Sequence, residues 1–184
     1  MSFLPSLGPQ ATLLHVFKAF PDACKPLIEF HEVLLRGPSP FTHGERELIA
    51  AYVSRLNHCR YCHAVHTATA ERLGVPVGAV DRLAANISFA LIPEKMEPIL
   101  RFAAKLTREP GAIRKTDADA ILAAGWGEDA LYYTSAVTGL FNLMNRLVEG
   151  LGIELDPAYA AVAAQRLAER GYLPLLDLMR QAGP

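Results

Sequence analysis

The sequence predicts an all-α fold of about nine or ten helices, and three observations carry that expectation. Helix caps and stop signals recur along all 184 residues. Apolar residues recur at three- and four-residue spacing. No segment alternates with period two between hairpin turns, so no strand is predicted.

Taken in order, helices are expected around residues 11–20 and 23–36, followed by a loop at Gly37-Pro38-Ser39-Pro40. Thr42-His43-Gly44-Glu45 reads as a capping box: the Thr42 hydroxyl reaches the N3 amide, and Glu45 reaches back. Leu48, Ile49, Tyr52, Val53 and Leu56 then give the helix an apolar face. Asn57 suits a turn or cap better than a helix interior. The next helix runs from about Cys59 to Leu73 and stops at Gly74 and Val75-Pro76. Further helices are expected at 77–86 and 94–108, and a short one is capped by Thr116 and ends at Gly125. Another runs from Glu128 to Glu149. Asp156-Pro157, an N-cap with proline at N1, opens a helix to about Arg170 with Gly171 behind it. The loops are short and no repeat appears, so residues 1–184 are expected to form one domain.

Composition narrows the class. The chain is 51% hydrophobic and 20% charged, with 18 basic against 19 acidic residues. That balance gives no footprint for nucleic acid or anionic lipid. Three cysteines are too few for a disulfide scaffold. The N-terminal residues lack a basic region followed by an apolar run, and no stretch reaches about 18 apolar residues. A protein acting in the cytoplasm, on neither membrane nor nucleic acid, is the expectation.

The chemistry concentrates at Cys59-x-x-Cys62 with His66 four residues on. At a helix start, this spacing puts both thiols on one face and His66 one turn above Cys62. Two thiols so placed can close a disulfide, and a helix N-terminus and an imidazole both favour the nucleophilic thiolate. Glu47 would lie about 18 Å from Cys59 along an unbroken helix. A break at Asn57-His58 lets two helices fold back, so that the carboxylate can take a proton or orient His66. Other readings stay open. The cysteines with His58, His63 or His66 could bind zinc, or could be two core residues. Cys24 reads as a small buried hydrophobe, and His15 and His31 as structural histidines. Trp126 reads as a packing anchor. Asn142, Asn145 and Arg146 fit either a site wall or helix ends.

The segment Arg46-Glu47-Leu48-Ile49 … Val53-Ser54 … Leu56-Asn57-x-Cys59-x-Tyr61-Cys62-x-x-x-His66 resembles the AhpD-like alkylhydroperoxidase group of the carboxymuconolactone decarboxylase superfamily. Ala124-Gly125-Trp126, Phe141-Asn142-Leu143-Met144-Asn145-Arg146 and Gly150-Leu151-Gly152 resemble its peroxidase-related branch. The resemblance implies an all-α AhpD-like domain with a helical hairpin bearing the Cys-x-x-Cys pair, assembled as a dimer, trimer or hexamer. It implies Cys62 as the peroxide-attacking thiol and Cys59 as the resolving one. His66 and Glu47 would be the proton relay, with His58 or His63 able to join it where other members carry a histidine between the cysteines. Partners would be a small-molecule peroxide and an external dithiol reductant; no cofactor or metal is needed. Two other functions use the same residues: a non-catalytic redox-sensing or binding oligomer, and a decarboxylase-like acid–base enzyme. The decarboxylase branch typically lacks the cysteine pair.

Overall fold

The computed structural model describes residues 1–85 and 91–181. Within them all regular structure is helical. The α-helices are α1 Leu13–Ala19, α2 Pro21–Arg36, α3 His43–Leu56, α4 Arg60–Arg72, α5 Ala79–Ala85, α6 Glu97–Arg108, α7 Lys115–Ala123, α8 Glu128–Gly150, α9 Pro157–Arg170 and α10 Pro174–Arg180. None is long and apolar enough to cross a membrane.

Helix α3 is the centre. Its start is the expected capping box: the Glu45 amide donates to Thr42 Oγ1 at 3.1 Å, and the Thr42 amide to Glu45 Oε2 at 2.8 Å. Every residue from Arg46 to Ser54 is buried. The helix is therefore enclosed all round, where its sequence pattern predicts one apolar face. It packs along α4 and also meets α6 and α8. Gly44 permits the close approach to α4, since a Cβ there would sit 2.9 Å from the Leu73 carbonyl oxygen. Buried Arg46 donates from Nη1 to the carbonyls of Leu34 and Gly37, at 3.1 and 2.8 Å. It thereby satisfies the end of α2 and fixes the turn into α3.

Two expectations need correction. Thr116 does not cap α7; Arg114 does, because the Asp117 carboxylate accepts its amide at 2.7 Å. Helix α10, opened by Pro174, is not anticipated by the sequence reading. The expected 94–108 helix is a 3₁₀ turn at Glu94–Met96 leading into α6. Of the expected 77–86 helix, Ala79–Ala85 is seen and residue 86 lies outside the described residues. Asp156 caps α9 as expected, accepting the Ala158 amide at 2.9 Å.

Candidate active site

The fold-back of α3 onto α4 is made by two residues. Asn57 caps α3, and His58 adopts the left-handed conformation with φ 59°. That value reverses the chain in one step, and it is uncommon for a residue with a Cβ. Cys59 becomes the N-cap of α4, and Cys62 falls in its first turn. The Asn57 amide donates to the side-chain oxygens of Asn142 and Asn145 on α8, at 3.1 and 2.9 Å, and Asn145 donates to Ser54 Oγ at 3.0 Å. The turn is thus pinned to α8 through buried hydrogen bonds. Asn142 and Asn145 hold side chains of the turn and of α3, and Asn142 Nδ2 also donates to the Thr138 carbonyl of its own helix at 2.9 Å.

The fold-back brings Glu47 to His66. The carboxylate is wholly buried. Its Oε2 accepts His66 Nδ1–H at 2.6 Å. Its Oε1 accepts Arg36 Nη2 at 2.6 Å and the Tyr172 hydroxyl at 2.8 Å. Burial alone would raise the carboxyl pKa; the charges and hydrogen bonds of His66 and Arg36 outweigh it and hold Glu47 down at about 2. Glu47 is therefore an anion at neutral pH, and the bond to it orients the His66 ring. The ring edge packs on Phe141 at 4.5 Å between centroids.

Arg36 and Tyr172 were not singled out by the sequence reading. Arg36 ends α2, where its Nη2 also donates to the Leu167 carbonyl at 3.0 Å. Tyr172 follows Gly171, whose φ of 69° turns the chain out of α9. A Cβ on Gly171 would meet Glu32 Oε2 at 2.6 Å, and that same oxygen accepts the Tyr172 amide at 2.6 Å. The glycine and Glu32 together deliver the phenol to Glu47.

Cys59 and Cys62 are both reduced and both buried. The neighbouring Cys62 thiol, hydrogen bonded to Cys59, and burial push the Cys59 thiol well up, so Cys59 holds its proton. His63 and His58 are not at the carboxylate. His63 Nδ1 lies 3.3 Å from the Ala51 carbonyl and its Nε2 faces Asp81 at 3.5 Å, while His58 is exposed in the turn. Among the described residues no three His, Cys, Asp or Glu side chains gather as a metal site requires. Cys24 is buried in α2, and its burial raises its pKa.

Two recesses flank the pair. A cavity of about 60 Å³ is lined by His66, His31 and Tyr172 on its inner side and is otherwise largely apolar. Neither sulfur lines it; His66 connects it to the turn of α4 that carries Cys62. A polar groove of about 310 Å³ lies over the other side, between His58, Arg60 and Glu149. Tyr61, between the cysteines, lines both.

Residues 21–108 match the carboxymuconolactone decarboxylase family. The match spans a little under half of the chain, and the fold is AhpD-like. It superposes on an uncharacterized peroxidase-related protein from Ralstonia eutropha JMP134, described as having an alkylhydroperoxidase AhpD core, with TM-score 0.74 and 25% identity. That likeness covers 81% of this chain and 78% of the other. An uncharacterized peroxidase-related protein from Silicibacter sp. TM1040 gives TM-score 0.74 and 26% identity, over 80% and 78% of the two chains. A protein of unknown function from Agrobacterium tumefaciens shares the fold at TM-score 0.68 and 19% identity, over 79% and 99%. No curated protein matches the sequence. The family match contains Arg36, Glu47, both cysteines and His66 of the AhpD-like core; Tyr172 and the α9 wall of the cavity lie beyond it.

Proposed function

We propose that the protein is a thiol peroxidase that reduces an alkyl or hydrogen peroxide through Cys62 and Cys59. The observation that carries this reading is the 2.6 Å Glu47–His66 pair, seated one helical turn from Cys62. The peroxidase-related names of the relatives in two other organisms agree with it.

With Glu47 accepting Nδ1–H, His66 Nε2 is the acceptor that takes the Cys62 thiol proton. The Cys62 thiolate attacks one peroxide oxygen, forming S–O as O–O breaks. The electron pair leaves on the alkoxide, which receives the proton from His66 Nε2. The products are an alcohol (or water) and a Cys62 sulfenic acid. Cys59 then attacks that sulfur, losing its own proton, and hydroxide leaves as water. The resulting disulfide is reduced by an external dithiol through two exchange steps. Each cycle converts one peroxide and one dithiol into alcohol, water and one disulfide. Cys59 retaining its proton suits the resolving role, because only the sulfenic acid then draws its attack. Assembly as a homo-oligomer belongs to the same proposal.

Intact-mass spectrometry of the reduced protein after one equivalent of peroxide tests it. Wild type should lose two hydrogens, and Cys59→Ser should gain one oxygen at Cys62. Cys62→Ser should keep its mass. Peroxide turnover undiminished in Cys62→Ser would overturn the reading.

A further inference from the structure

The cavity beside His66 has a mouth and a floor. Of the residues lining it, Leu14, Tyr159 and Arg166 keep part of their surface in solvent, while His31, His66 and Tyr172 are buried. Arg166 is the cation at the mouth. Its Nε is buried without a hydrogen-bond partner, and no carboxylate pairs with its guanidinium among the described residues. A guanidinium donates through five N–H groups and stays charged, so a buried N–H left unpaired is costly unless a ligand supplies the acceptor. The Tyr61–Tyr159 pair stands beside it, with rings stacked at 6.4 Å.

The floor presents the opposite polarity. His31 is more than nine-tenths buried, and its Nδ1–H donates to the Leu27 carbonyl at 2.7 Å. Burial holds its pKa down at about 4, so the ring is neutral at physiological pH and Nε2 is an acceptor. No protein donor reaches that nitrogen among the described residues. Between mouth and floor the wall is apolar, with Phe17, Val65 and Leu167. A ligand that satisfies all three parts has an anionic head, a short apolar body and a hydroxyl-type donor at its far end.

We propose that this cavity binds a short organic carboxylate, with its head on Arg166 and its far end against His31 and His66. A volume of about 60 Å³ has room for a chain of a few carbons and not for a long acyl tail. The carboxylate site stands on Arg166 and the cavity.

The probes are butanoate and butan-1-ol, titrated into the reduced protein with His31 and His66 ring protons followed by NMR. Butanoate should bind about tenfold or more tighter than the alcohol, the effect of one charge-assisted contact. Arg166→Gln should abolish that preference, and Arg166→Lys should keep part of it. Leu14→Trp, which fills the mouth without touching the charge, should weaken both probes. Equal binding of the two probes, or an unchanged preference in Arg166→Gln, overturns the site.

Discussion

The Tyr172 hydroxyl donates to Glu47 Oε1 at 2.8 Å across 125 residues of sequence. This bond ties the chain after α9 to the central helix at the one carboxylate that also holds His66. Burial and the Glu47 anion push the Tyr172 pKa well up, so the phenol remains a donor at any pH the protein meets. We expect Tyr172→Phe to cost about 1.5–3 kcal/mol, the usual value of a hydrogen bond to a charged group. For a chain of this size that is a fall in Tm of roughly 2–4 °C for each kcal/mol. Thermal and denaturant melts check it. The Arg36 and His66 bonds remain, so Glu47 stays ionised and turnover should fall less than in a Glu47 variant.

Glu47→Gln should be far more damaging. Arg36 and His66 both meet the carboxylate at 2.6 Å in a buried setting. Removing the anion leaves the Arg36 charge buried without its partner, a loss of about 3–5 kcal/mol. His66 also loses the acceptor that sets its tautomer. The folded carboxyl sits at about 2 against a usual 4.5, so its stabilisation is full above pH 4.5 and is lost as pH falls toward 2. Acid melts of wild type should show that loss, and Glu47→Gln should lack it. Turnover, measured where the variant is still folded, should drop by about 10²-fold or more if the pair acts in proton transfer.

The elements that position this site differ in how legible they are in the sequence. The Thr42–Glu45 capping box, the Asp156 cap and the break at Asn57-His58 are local, set by residues within four positions of one another, and the structure has all three. The fold-back of Glu47 onto His66 follows from that break. Tyr172 and the Asn57–Asn145 bond are contacts between distant segments, and no spacing rule reaches across 88 or 125 residues; Arg36 lies on another helix than Glu47, which helical spacing does not reach either. Helix α3 misleads for the same reason: Arg46 looks like a solvent-facing charge until the end of α2 supplies the carbonyls that accept from it. Thr116 resembles a cap by type, but Asp117, which also pairs with Lys105 at 2.6 Å, decides where α7 begins.

His31 gives a second and separable pH effect. Its folded pKa of about 4 lies below the ordinary 6.5, because burial disfavours the imidazolium. Between those values the unfolded chain binds a proton that the folded chain does not, so stability rises with pH from 4 to 6.5 and is lost on acidification through that window. The full effect is at most about 3 kcal/mol. Glu47, which also faces this part of the core, titrates lower, between 4.5 and 2. We expect His31→Leu to flatten the pH 4–6.5 slope in denaturant melts and to leave the slope below pH 4. An unchanged slope would assign the window to another group.

The clamp on the α3–α4 turn governs access to the thiols. Asn145 accepts from Asn57 at 2.9 Å and donates to Ser54 at 3.0 Å, and it is almost wholly buried. Asn145→Ala removes both bonds and leaves the Asn57 amide with Asn142 alone, a cost of about 1–3 kcal/mol. Because Asn57 directly precedes the left-handed His58 and the N-cap Cys59, that loss should act first on the opening of this turn and only partly on the whole fold. Alkylation of the folded, reduced protein reports the difference, since all three cysteines are buried. In Asn145→Ala, Cys59 and Cys62 should react about tenfold or more faster, because 1.4 kcal/mol is tenfold in an opening equilibrium. Cys24, held in α2 away from the turn, should react at the wild-type rate. Equal acceleration at all three would mean that the clamp supports the fold as a whole and not the turn that presents the dithiol.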